Sequence, residues 1–166
     1  MNSVQPARTR RVLSILATSV AAALMMACTT ADPEIVAIEY LRATHNADSD
    51  TAVSLLDVDR IVGRVQDEIV LVNTDGDPER FLADSVETLI WGLFQETPRQ
   101  EGLAYDAPPA DVDGDRATVR VTLATPEGST SRRTVHLRNT DLGWRVSGRS
   151  VDDLVAYVIQ RLEERY

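Results

Sequence analysis

The stretch Ala117-Thr118-Val119-Arg120-Val121-Thr122-Leu123-Ala124 decides the fold class. Its large apolar residues fall at every second position, the period of a strand with one face buried and the other wet. Pro126-Glu127-Gly128-Ser129 follows as a turn, and Thr134-Val135-His136-Leu137-Arg138 takes up the same alternation on the way back. Asp141-Leu142-Gly143 turns the chain again, and Trp144 and Val146 aim a last strand at the same interior. Upstream, residues 103–107 read as a further strand, closed by Pro108-Pro109. Short turns between alternating segments make an antiparallel meander.

Before the meander the period is helical. Asp32-Pro33 reads as N-cap and first helical position, with Glu34 favourable in the first turn. Ile35, Ile38 and Leu41, widened by Val36 and Tyr40, carry that helix to about Thr44. Asn46-Ala47-Asp48-Ser49-Asp50 breaks it, and a short helix over residues 51–56 restarts with Asp50 as its cap. Val58, Ile61, Val62, Val65, Ile69 and Val72 form a third stripe, in which Gly63 costs up to about 1 kcal/mol relative to Ala. Asn73-Thr74-Asp75-Gly76-Asp77-Pro78 is a turn ending in a cap, Asp77, and a Pro at the next helix start. Phe81, Leu82, Val86, Leu89, Ile90, Leu93 and Phe94 make one face of the fourth helix, which Pro98 stops. After the meander, Ser150 caps a last helix whose face is Leu154, Val155, Val158, Ile159 and Leu162. Helices first and a meander afterwards predict an α+β fold, with N-terminal helices on a curved, cone-like antiparallel sheet plus a C-terminal helix. No repeat or linker divides residues 33–166, which are expected to form a single domain.

The chain has 166 residues and a formal charge of −9, which argues against nucleic acid and against electrostatic docking on anionic lipid. All 17 basic residues are Arg. The single Cys, Cys28, excludes intrachain disulfides, a Cys-based zinc site and an iron–sulfur cluster. Residues 1–27 hold no acid, and Arg8, Arg10 and Arg11 precede an uncharged run over residues 12–27. That run is short for a membrane span, which needs about 20 apolar residues, and suits a cleavable signal peptide. It ends in Leu24-Met25-Met26-Ala27-Cys28, which resembles a bacterial lipoprotein signal. The resemblance implies that the Cys28 thiol receives a diacylglycerol and becomes the new N-terminus, with residues 28–32 as a lipidated tether. Removing three Arg and no acid takes the charge from −9 to −12. Attachment to the membrane would then come from the lipid on Cys28 alone, and stable anchoring takes at least two chains. Thr29-Thr30 lacks the Asp associated with inner-membrane retention, so in a diderm envelope the outer membrane is the expected location, facing the periplasm; otherwise it is the cell membrane.

Residues 33–149 are similar to the nuclear transport factor 2-like cone fold, and in particular to small lipoproteins built on it. The segments that carry the resemblance are the Asn46-Ala47-Asp48 break between helices, Val112-Asp113-Gly114-Asp115-Arg116-Ala117-Thr118-Val119-Arg120-Val121, Thr134-Val135-His136-Leu137 and Gly143-Trp144-Arg145-Val146. The helical segment 58–96 is longer than that fold usually needs. The periplasmic phospholipid-binding proteins of toluene-tolerance systems combine a cone-like sheet with extra helices, which the segment 58–96 would supply if the chain is similar to them in kind.

Candidate chemistry is sparse. Asp111-Val112-Asp113-Gly114-Asp115 lacks the spacing of a calcium loop and reads as a tight turn, with Gly114 supplying φ > 0. His45 and His136 have no zinc-type spacing; His45 is expected to cap a helix end, and His136 to lie on the face of the sheet away from Val135 and Leu137. No metal or other cofactor is expected. Phe81, Trp91, Phe94, Tyr105 and Trp144 either wall an apolar pocket or fill the core. Arg132, Arg133, Arg138, Arg145 and Arg149 concentrate positive charge on the sheet, as solvated side chains or as a patch for an acidic partner. The leading expectation is a non-enzymatic, membrane-anchored module that binds an envelope protein or an apolar ligand. A lipid or hydrophobic-ligand carrier is the first alternative. A cone-fold isomerase or dehydratase, using Asp57, Asp59 or His136 for proton transfer, is the second.

Overall fold

Helical and strand periods appear in the order the sequence sets. A computed structural model describes residues 31–69 and 78–164. Helices α1 (Pro33–His45), α2 (Ser49–Ser54), α3 (Val58–Glu68) and α4 (Pro78–Glu96) come first. Strands β1 (Ala104–Asp106), β2 (Asp111–Asp113), β3 (Arg116–Ala124), β4 (Thr130–Thr140) and β5 (Gly143–Val146) follow. A short 3-10 turn (Gly148–Val151) then leads into α5 (Asp152–Glu163). The class is α+β, helices packed on a curled antiparallel sheet with a helix at the C-terminus. The signal segment 1–27, Cys28, Val72 and the turn ending in Asp77 lie outside the described residues.

The strands are ordered β1-β3-β4-β5, every neighbour antiparallel. β2 pairs with β3 on the same edge as β1, from Asp111 opposite Thr118 to Asp113 opposite Arg116. β1 and β2 are therefore one edge strand interrupted at Pro108-Pro109, which have no N–H to give a ladder. The interruption is held by α1, where the Glu34 carboxylate accepts from the Ala110 N–H. At the opposite edge Val146 N–H donates to the Leu55 carbonyl (2.8 Å), and Asp57 N–H donates to the Val146 carbonyl (3.0 Å). Residues 55–57 thus cover backbone groups that an open edge would offer to another chain.

One face of the sheet is the floor of the core. Ala117, Val119, Val121 and Leu123 of β3, Val135 and Leu137 of β4, and Trp144 and Val146 of β5 are all buried. They meet Val36, Ala37 and Tyr40 of α1, Ile61 and Val65 of α3, Leu82, Val86, Ile90 and Phe94 of α4, and Val155 and Val158 of α5. Tyr40 and Phe94 pack edge to face, with ring centroids 6.3 Å apart. Together these side chains form one hydrophobic cluster between the sheet and the helices.

Several local expectations change. The second helix starts at Ser49, not Thr51, because Asp48 is its cap and accepts from Thr51 N–H at 3.1 Å. Ala47 enters the left-handed region (φ 55) to make that sharp restart. Asp32 stands at the N-cap of α1 but its side chain makes no capping bond. Residues 111–113 form a strand instead of belonging wholly to a turn, with Gly114 at φ 60 turning β2 into β3. β4 runs well beyond residues 134–138, since Ser131, Arg132 and Arg133 bond as a strand although no apolar residue marks it. Ser150 is not the cap of α5. Its Oγ accepts from His136 N–H (2.7 Å), which ties the 3-10 turn to β4.

Candidate functional site

The polar positions of the alternation set the chemistry of the open face. Register places Arg116 opposite Arg138 and Arg138 opposite Arg145, so three guanidinium groups stand in one row across β3, β4 and β5. Like charges directly opposite destabilise a sheet. Asp57, at the N-cap position of α3, offsets the central one. Its carboxylate makes no capping bond and accepts instead from Arg138 Nε (Oδ2, 2.8 Å), Arg138 Nη2 (Oδ1, 3.1 Å) and Ser147 Oγ (Oδ2, 3.1 Å). Asp57 is only 5% exposed. A carboxylate that buried is tolerated because a bidentate guanidinium and a hydroxyl satisfy it. The same hydrogen bonds hold the Arg138 guanidinium pKa above its ordinary value.

Arg138 divides two surface clefts. The larger, about 410 Å³, lies beside α2, the start of α3 and the β4–β5 turn, and is lined by Asp57, Asp59, Glu87, Trp91, Leu142 and Arg145 among others. Trp91 is 43% exposed there and donates its Nε1–H to Asp50 Oδ1 (2.8 Å). Leu142, at the turn, is 73% exposed. The smaller cleft, about 240 Å³, lies between the open face and the 3-10 turn, lined by Arg60, Arg116, Thr118, His136, Arg138 and Arg149 together with backbone neighbours. No carboxylate lines it.

The five aromatic candidates go to different places. Phe94 and Trp144 (9% exposed) are core residues, and Phe81 is half-buried on α4. Trp91 is on the rim of the larger cleft. Tyr105, on β1, stacks on His45 at 5.9 Å, and its hydroxyl meets His45 Nδ1 at 2.9 Å. Arg42 lies over the same ring, 5.6 Å from its centroid. His45 is therefore a partner of Tyr105 and not a helix cap. Partial burial, reinforced by the charge of Arg133, pushes the His45 pKa down. Burial pushes the Tyr105 pKa up, opposed by Arg42.

The arginine candidates divide as well. Arg138, Arg145 and Arg149 gather at the two clefts. Arg132 lies further along β4, opposite Thr122, and Arg133 acts electrostatically on His45. Arg60 and Arg116 complete the smaller cleft and carry no signal in the sequence; Arg60 is far from the meander, on the polar side of a helix. Asp57 and His136 do not form a pair. Asp57 is held by Arg138 and Ser147, whereas the His136 ring meets Thr118 Oγ1 at 3.3 Å and lines the other cleft. Among the described residues no three His, Cys, Asp or Glu side chains converge as metal ligands, and no helix is long and apolar enough to cross a membrane.

No protein-family model matches the sequence, and no curated relative does. Solved structures that match in fold include the following two. One is a protein from Campylobacter jejuni described as an NTF2-like transpeptidase, 17% identical, with the match covering 70% of this chain and 97% of that one at a TM-score of 0.43. The other is a phospholipid-binding protein from Ralstonia solanacearum in complex with a phospholipid, 16% identical, covering 90% of this chain and 94% of that one at a TM-score of 0.40.

Proposed function

We propose that this chain is an extracytoplasmic lipoprotein, anchored through acyl chains on Cys28, whose domain is a non-enzymatic binding module for an acidic envelope partner. The observation that carries the binding reading is the arginine row. On one face of a strongly acidic protein, Arg116, Arg138 and Arg145 align across three strands, and Arg149 and Arg60 stand beside Arg116 and Arg138 at the smaller cleft. Among the described residues only Arg138 of these has a buried acidic partner. The residues at the two clefts are largely charged and lie outside the apolar cluster, which supports a partner on the outside of the sheet over a carrier of an apolar ligand, since small-molecule pockets are concave and mostly apolar. The support for the anchor is the sequence Leu24-Met25-Met26-Ala27-Cys28.

Two measurements test the reading. Cys28→Ala should move the protein from the membrane to the soluble fraction, because the thiol is the only attachment point for lipid. Retention on membranes after a high-salt wash would refute the anchor. A photoreactive residue at position 145 should crosslink to an acidic envelope protein in the living host, while one at Glu39, exposed on α1, should not. Equal adducts from both positions, or none from 145, would refute the binding face.

A further inference from the structure

The smaller cleft has the chemistry of an oxyanion site. Arg60 comes from α3, Arg116 from β3, His136 from β4 and Arg149 from the 3-10 turn, so four elements deliver cationic or hydrogen-bonding side chains to one concavity of about 240 Å³. The electrostatic balance there is uneven. Arg138 is neutralised by Asp57. Arg116 has partial compensation, with Asp115 at 4.0 Å in an exposed pair and Asp113 opposite it in register. Arg60 and Arg149 have no ion pair or side-chain hydrogen bond among the described residues. Arg60 and Arg149 thus line one cleft without an acidic partner among the described residues, in a chain that has far more acids than bases. A folded surface gains from an anion in that position.

The geometry points to this cleft as a binding site for a doubly charged oxyanion, a phosphate or phosphate monoester. This rests on the reading of the arginine face as a binding face and names the chemistry it takes. Guanidinium forks match phosphate oxygens in a bidentate manner and hold their charge at every physiological pH. A phosphate monoester carries about −1.5 to −2 at pH 7, which matches the two unpaired charges of Arg60 and Arg149. Thr118 and His136, in contact at 3.3 Å on the cleft wall, add polar groups suited to the remaining oxygens. The cleft is large enough for a phosphate group and bridging waters, at roughly 30 Å³ of liquid volume per water. The phosphate belongs either to a free ion or to a lipid headgroup, and the chemistry of recognition is the same.

The test uses the full chain in non-ionic detergent at constant ionic strength, titrated with inorganic phosphate and, separately, with monomeric dihexanoyl phosphatidic acid. Binding is read by ³¹P line broadening and by the unfolding temperature. Wild-type protein should show saturable binding, and Arg60→Gln with Arg149→Gln should weaken it at least tenfold. Neither side chain has an ion pair or side-chain hydrogen bond among the described residues, so the double variant should melt at the wild-type temperature when no phosphate is present. Arg132→Gln, on the same strand but away from the cleft, should bind as wild type and controls for general charge loss. Binding of inorganic phosphate alone identifies a soluble anion, and binding of phosphatidic acid alone or more tightly identifies a headgroup. Absence of saturable binding of either, or equal weakening by Arg132→Gln, overturns the site. Crosslinking from position 145 would persist if the oxyanion site alone were wrong, so the two failures are distinguishable. Should the double variant melt early, the single variant Arg149→Gln gives the same comparison.

Discussion

Removing either half of the Asp57–Arg138 pair should cost stability, and by different amounts. Asp57 is 5% exposed and the Arg138 side chain 36%, so water can reach the guanidinium but hardly the carboxylate. Breaking a fully buried pair by deleting one partner costs about 3 to 5 kcal/mol, because a charge is left uncompensated. Arg138→Ala leaves the buried carboxylate with only the Ser147 hydroxyl and should fall in that range. Asp57→Ala leaves a guanidinium that water can partly solvate, although Arg116 and Arg145 stand opposite it on both sides. Its cost should be smaller, about 2 to 3 kcal/mol. Either loss is large against a total of about 5 to 15 kcal/mol. Urea unfolding followed by far-ultraviolet circular dichroism measures both, and the double variant closes a cycle whose coupling should be at least about 1.5 kcal/mol. A cost below about 0.5 kcal/mol for Asp57→Ala, or a coupling near zero, would show a pair no stronger than an exposed one and refute the reasoning.

Trp144→Ala should destabilise by about 3 to 5 kcal/mol in the same urea assay, through lost transfer energy and a cavity, whereas exposed Trp91→Ala should cost less than about 1 kcal/mol. Gly102→Ala should cost about 1 to 3 kcal/mol, because φ is +76 there and a Cβ would stand 2.8 Å from Pro126 Cγ; thermal unfolding reads it directly. Gly63→Ala, in the middle of α3 with nothing within 4 Å of the new Cβ, should stabilise by about 0.5 to 1 kcal/mol on the same instrument. His45 has a folded pKa below its unfolded value of 6.5, so the native state favours the neutral ring and stability falls as pH drops below about 6.5. His45→Gln should flatten that part of the stability–pH curve, and an unchanged slope would refute the assignment.

Residues 117–124, 134–138 and 144–146 determined the sheet by themselves. A buried face needs an apolar residue at every second position, and that requirement is written locally. The apolar stripes of α1, α4 and α5 were legible for the same reason, at the helical period. Where no apolar residue had to be placed, local pattern gave no signal. Residues 130–133 and 111–113 bond as strands because β3 offers them a ladder, and Ser131, Arg132, Asp111 and Asp113 are polar on both sides. The cap of α2 shifted from Asp50 to Asp48 because two acids in that stretch can fill the role, and Trp91 on a distant helix holds Asp50. The binding face belongs almost wholly to tertiary structure. Arg145 and Arg149 stood out in the sequence as charges on strand and turn, but Arg60 and Arg116 did not, and nothing marked Asp57 as the counter-charge of Arg138. A cleft formed by α3, β3, β4 and the 3-10 turn depends on where the hydrophobic faces of those elements meet. Its polar side chains are brought together by packing that they do not themselves drive.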